Sequence, residues 1–288
     1  MIANQYAFQA MPSQPFLSAA RVDSAGGRWL YAADHASSWP RATALHSHAR
    51  GQLFGTDVGV LTVQTGASRC VVPAAQAVWI PPGVAHGAQT HGPFVGWAAY
   101  LAPDACEELP GAPCVLSMSA LLRAAISRAA TWSDAPLDAK QQRIAAVIAD
   151  EIRALTPAAT ALPMPVDTRL RKIADALIAN PADTRRMQEW ADWAAVAPRT
   201  LTRRFAGETG YAFETWRHRL RMMCALERLA AGAPVTMVAL DLGYDNVSAF
   251  IARFRATFGV TPGRYAAGGC DGLTLTSPPS RKTTPAVS

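Results

Sequence analysis

Between about Trp29 and Leu101 the apolar positions fall in short runs, such as 58–64, 70–73, 77–80 and 94–102, interrupted by Gly and Pro. Runs of this length at regular spacing predict a small all-β barrel or sandwich. After Pro113 the period lengthens. Segments 119–132 and 137–155 carry apolar residues at helical spacing, among them Ile144, Val147, Ile148 and Ile152, which predicts one or two helices. Residues 156–166 hold three prolines and no charge, the composition of a linker. From Asp167 onward nearly every segment is helical by period, with breaks at Asn180-Pro181, Ala197-Pro198, Gly210, Gly232, Gly243 and Gly259. The pattern divides the chain into an N-terminal extension (1–20), a β barrel (21–110), a helical connector (115–155), a linker (156–166), an all-helical domain (167–267) and a disordered tail (268–288).

The helical half contains two units of similar layout. In the first, a helix ending near Ala195 meets a short turn, and Pro198 opens a second helix. Leu201 and Phe205, four apart, turn to the core, so Arg199, Thr202, Arg203 and Ala206 take the opposite arc. In the second, Val238, Ala239 and Leu242 mark a short helix, Gly243 permits a turn, and Asn246 caps a helix whose buried stripe is Phe250, Phe254 and Phe258. Ser248, Ala252 and Arg255 then project outward, with Val247 in the first turn. Between the units runs an apolar-striped helix through Trp216, Leu220, Met223, Leu226 and Leu229. At about 25–30 Å it approaches the ~34 Å repeat of the major groove. Arg217, Arg219, Arg221 and Arg228 on or near it are candidates for phosphate contact or for a solvated face.

Charge supports this division. Residues 1–166 hold ten basic and ten acidic side chains, residues 167–268 hold fifteen and ten, and the tail two and one. The excess of +5 in the helical half is what a polyanion partner requires. With half the residues apolar and 17% charged, the chain is neither collagen-like nor wholly disordered. Five scattered cysteines (Cys70, Cys106, Cys114, Cys224, Cys270) without a CxxC pair suggest neither a disulfide framework nor a thiolate zinc site. No apolar run reaches the ~18 residues of a membrane span, and the start lacks a secretory pattern, so a cytoplasmic protein with no membrane partner is expected. Phosphate-cradling, dinucleotide-binding, nucleophile-elbow and HExxH motifs are all missing, and no enzyme is expected.

From about Asp167 to Tyr265 the chain resembles the tandem helix-turn-helix domain of AraC/XylS-family transcriptional regulators. The matching residues are Pro198 to Leu201 with Phe205, Glu208-Thr209-Gly210, Val238 to Tyr244, Ser248-Ala249-Phe250, Phe254-Arg255 and Phe258 to Tyr265. The resemblance implies base contacts from Arg199, Thr202, Arg203, Val247, Ser248 and Ala252, in agreement with the helical wheel, which adds Arg255. It also implies promoter DNA and RNA polymerase as partners, a homodimer, and more often activation than repression. One departure is Ala197, where a serine cap is usual.

In the β half, His46 and His48 stand two apart, so both imidazoles enter one face of a strand, with Gln52 and then His86 following. Three imidazoles and an oxygen suit divalent Fe, Mn, Ni, Zn or Cu. The stretches resemble the paired motifs of cupins, with Gln52 where glutamate is commoner, which lowers the expected affinity for a cation. The implied fold is therefore multidomain α+β: a cupin barrel (double-stranded β-helix, jelly roll), then an all-α tandem helix-turn-helix domain. Phe54, Trp79, Trp97 and Tyr100 are candidates for an effector pocket in the barrel, for a small molecule or metal, while His35, His91 and His218 are expected at the surface. The connector stripe is the candidate subunit contact. The alternative is a metal-dependent cupin enzyme, an oxygenase or isomerase, fused to a DNA-binding domain.

Overall fold

The computed structural model describes residues 11–12, 17–24, 27–155 and 161–268. The β domain is made of β1 (Met11–Pro12), a short helix α1 (Ala19–Val22), β2 (Leu30–Ser37), β3 (Arg41–His46), β4 (Gly51–Thr65), β5 (Ser68–Pro73), β6 (Gln76–Ile80), β7 (His86–Leu101) and β8 (Cys114–Ser117). Two helices follow, α2 (Ala120–Ala130) and α3 (Ala139–Ala154), then β9 (Ala161–Pro163).

The long strands β4 and β7 pair along their whole length and serve two half-sheets. The first half of β4 pairs β6 and the second half pairs β5, while β7 pairs β3 early and β2 late. Their mutual register slips between Thr56 and Val60. Gly59 at φ +88° and Gly92 at φ +71° lie by this corner, and a Cβ on Gly59 would fall 2.5 Å from the Pro93 carbonyl. The bulge turns one ribbon into two facing halves.

Alternation then assigns the faces. Phe54, Val78, Ile80 and Tyr100 from one half meet Leu61, Val63, Cys70 and Val72 from the other, and these form the interior. Leu53, Trp79, Trp97 and Leu101 point outward and are covered by α2 and α3 through Leu122, Ile126, Ile148 and Ile152. Two expectations are corrected here. Trp79 and Trp97 do not share the interior with Phe54 and Tyr100, because an odd separation such as 97 to 100 puts side chains on opposite faces. The connector stripe is turned inward against α2 rather than facing out, with Ile148 and Ile152 buried and Val147 at its margin.

The β domain also extends past 110, because β8 pairs β6. Of the region expected as a linker, residues 161–163 form a strap: β9 pairs β5 at its edge, where prolines are tolerated, and Trp216 donates its indole N–H to the Pro163 carbonyl at 2.7 Å. The tail from 269 and residues 156–160 lie outside the described residues.

The C-terminal region is seven helices: α4 (Thr168–Ala179), α5 (Met187–Trp193), α6 (Pro198–Thr209), α7 (Phe213–Ala230), α8 (Val235–Asp241), α9 (Val247–Phe258) and α10 (Pro262–Ala266). Leu201, Phe205, Phe250, Phe254 and Phe258 are buried as their spacing predicts. The 18 residues of α7 make a strut of about 27 Å. One face of α7 holds α6 and α8, and the other lies on the outer face of the β5/β4 half-sheet, so Val60 and Val71 join the helical core. Among the described residues Cys70, Cys106, Cys114 and Cys224 are free thiols, and no helix is long and apolar enough to cross a membrane.

Candidate DNA-reading face and histidine cluster

The two helix-turn-helix units are built as the sequence indicates. Between α5 and α6 the chain turns through Ala195 at φ +51°, and the Val196 N–H returns to the Ala191 carbonyl at 2.9 Å. Pro198 opens α6, whose N-cap Ala197 supplies no side-chain acceptor. Between α8 and α9 the turn uses Gly243 at φ +77°, where a Cβ would lie 3.1 Å from the Ala182 carbonyl. Asn246 Oδ1 caps α9 by accepting the Ala249 N–H at 2.7 Å.

On α6, Arg199, Thr202 and Arg203 are exposed; on α9, Ser248, Ala252 and Arg255 are exposed and Val247 is half-buried. Among the described residues none of Arg199, Arg203 and Arg255 is ion-paired, and sequence reasoning passed over Arg253, which is exposed beside them on α9. Thr202 instead donates its hydroxyl to the Pro198 carbonyl at 2.9 Å.

The strut arginines differ from expectation. Arg217 and Arg219 are buried and Arg221 half-buried. Arg217 donates to the Arg185 carbonyl at 3.0 Å and to the Asp183 carbonyl, and Arg221 Nε to the Pro181 carbonyl at 2.7 Å. They satisfy backbone oxygens of the α4–α5 loop, which that irregular segment cannot satisfy itself. Arg219 lies 4.7 Å over the Tyr211 ring, and Arg228 pairs with Asp241 at 3.3 Å.

The histidines expected at the surface are half-buried as well. His91 faces the helical domain, where Glu227 of α7 accepts from Arg69 Nη2 and Thr62 Oγ1, each at 2.6 Å. No local pattern announces this cluster, since its members are 158 and 165 residues apart in sequence.

In the β interior, His46 and His86 are cross-strand partners, and the candidate ligand atoms of His46, His48 and His86 lie within 4.8 Å of one another. Each Nδ1–H donates to a backbone carbonyl: His46 to Ala44 at 2.9 Å, His48 to Arg50 at 2.7 Å, His86 to Val84 at 2.9 Å. In the Nδ1–H tautomer that these backbone carbonyls accept, each Nε2 would carry the lone pair a metal needs. Gln52 Oε1 lies 3.1 Å from His48 Nε2 and 3.0 Å from His86 Nε2, while its amide nitrogen donates to the Tyr100 hydroxyl at 2.9 Å. Burial first, then the neighbouring imidazoles, push His86 down to about 4, so it is neutral at pH 7. Phe54 stands beside this cluster with its ring 6.2 Å from that of His86.

Residues 190–268 match the family model described as a helix-turn-helix domain. The HTH-type transcriptional regulator NimR of Escherichia coli (strain K12) is 32% identical over 255 residues, 87% of this chain and 90% of that protein. The HTH-type transcriptional regulator RipA of Corynebacterium glutamicum is 34% identical over 119 residues, 41% of this chain and 36% of its own length. A structure of ToxT from Vibrio cholerae aligns over 83% of this chain and 98% of its own, at 10% identity and a TM-score of 0.37. With two helix-turn-helix units on the page and a relative at this identity over most of both chains, the chain belongs to the AraC-type helix-turn-helix transcriptional regulators, proteins that bind DNA.

Proposed function

We propose that the protein is a cytoplasmic, homodimeric transcriptional activator that grips adjacent major grooves of promoter DNA with α6 and α9, recruits RNA polymerase, and responds to an effector through its β domain without catalysing a reaction. The carrying observation is the set of exposed arginines without carboxylate partners on two helices joined by one strut. Arg203 and Arg199 would read guanine on one groove, and Ser248, Ala252 and Arg255 would meet the other. A guanine-bidentate arginine is worth roughly 1–3 kcal/mol, so Arg203→Ala should weaken binding to the DNA upstream of its own gene about 5- to 150-fold. Unchanged footprints in Arg203→Ala and Arg255→Ala would remove the assignment.

We propose further that His46, His48, His86 and Gln52 hold a divalent ion of the Fe, Mn, Ni, Zn or Cu type. The candidate ligand atoms of the three histidines lie within 4.8 Å of one another, and Gln52 Oε1 lies 3.1 and 3.0 Å from two of the Nε2 atoms, so four donors converge on one space. Such an ion would supply a fixed positive charge joining β3, β4 and β7. Purified protein should contain about one equivalent of metal, and His86→Ala should lose it. Metal-free wild type with unaltered thermal stability on metal addition would count against the site.

A further inference from the structure

The candidate pocket residues on the interior, Phe54 and Tyr100, belong to one buried cluster. A cavity of about 670 Å³ lies where three parts of the chain meet: the corner of β4 with Asp57, the start of α2 with Arg123, and the helical domain at Ala230 and Tyr265. This volume suits a small organic molecule.

The walls specify its chemistry. Arg123 lies 5.5 Å over the Trp97 ring and is fully engaged. Its Nε and Nη2 donate to Asp57 at 2.9 and 2.6 Å, Nη2 also reaches Asp34 at 3.3 Å, and Nη1 donates to Ser127 at 2.7 Å. Asp57 lines the cavity, and Asp34, outside its lining, shares the same guanidinium, so the trio carries one net negative charge. The carboxyl ends of α7 and α10 border the same space, and helix C-termini favour cations. The start of α2 faces it too, but Ser119 caps that end and binds Glu151, a further acid. The rest of the surface is mainly apolar.

We infer that this cavity is a binding site for an apolar, amine-bearing small molecule whose ammonium group pairs with Asp57. The inference deepens the effector-responsive regulator proposed above and rests on that reading for its consequence, though not for binding itself. Because the helical domain supplies part of the wall, the ligand binds only the docked arrangement and stabilises it by mass action. If DNA binds the docked arrangement and the undocked one with different affinity, the ligand changes DNA affinity, and DNA changes ligand affinity by the same factor.

The test is calorimetric titration of the full chain with 3-phenylpropylamine, 3-phenylpropanol and 3-phenylpropionate. The amine is expected to bind roughly tenfold or more tightly than the alcohol, with the carboxylate weakest, the range for a charge-assisted hydrogen bond. Asp57→Asn should abolish the preference for the amine. Ala120→Trp, at an exposed position on α2 where an indole would fill the cavity, should abolish binding of all three. Equal binding of amine and alcohol, unchanged binding in either variant, or no binding at millimolar probe overturns the site. Amine binding with no change in DNA affinity refutes the coupling to DNA and leaves the site standing.

Discussion

Removing the Glu227 carboxylate tests how the two domains are joined. Its side chain is 10% exposed and that of Arg69 14%, and they meet at 2.6 Å. Burial acts to raise the Glu227 carboxyl, but Arg69, His91 and the Thr62 hydroxyl outweigh it and hold it below its ordinary value, so the pair is ionised at pH 7. Burial likewise opposes the charge on Arg69, and Glu227 overcomes it. Glu227→Ala therefore strands a buried guanidinium, which costs about 3–5 kcal/mol. The double variant Arg69→Met/Glu227→Leu replaces the pair with apolar side chains of similar volume and should be neutral or stabilising by about 1–4 kcal/mol. In urea, at a slope of about 2–3 kcal/mol/M, the single variant should unfold about 1–2.5 M earlier than wild type and the double variant should not. Equal losses in both, or a loss under about 1 kcal/mol in Glu227→Ala, would refute the reasoning, since the pair would then not be desolvated in solution.

Two further outcomes follow from single residues. Ala197→Ser supplies the missing N-cap acceptor of α6 at an exposed, extended position and should stabilise the protein by about 1 kcal/mol, raising Tm by about 2–4 °C; no change in Tm would show the cap to be satisfied otherwise. His218 is pushed down to about 4 by burial, with Arg253, Arg221 and Arg219 adding to it. The unfolded chain takes up that proton near pH 6.5 and the folded chain only near 4, so stability is full above 6.5 and declines as pH falls through this window. His218→Gln should flatten that part of the acid limb, and an unaltered pH profile would contradict the burial of the imidazole.

Much of the molecule was legible from spacing. The stripes Leu201/Phe205 and Phe250/Phe254/Phe258 turn inward, which leaves Arg199, Arg203, Ser248 and Arg255 outside. His46, His48 and His86 converge as the spacing suggested, although β3 ends at His46 and His48 lies in the loop before β4. These follow from periods of 3.6 and 2, properties of a few consecutive residues. The misreadings have two causes. Trp97 and Tyr100 were grouped by residue type although their parity separates them. The prolines of 156–166 suggested a loose segment, yet the edge of β5 was available to pair with β9.

Local periodicity, capping and charge were enough to indicate a β half, a helical half with two helix-turn-helix units, and a histidine cluster. Which second face of α7 is covered, and by what, was decided only in three dimensions. Arg217 and Arg219 became internal, and Glu227 found Arg69 across the domain boundary, because a helix has two sides and its own pattern names just the more apolar one. Contacts between residues more than a hundred positions apart depend on how whole sheets and helices stack, and no window of neighbouring residues records that arrangement.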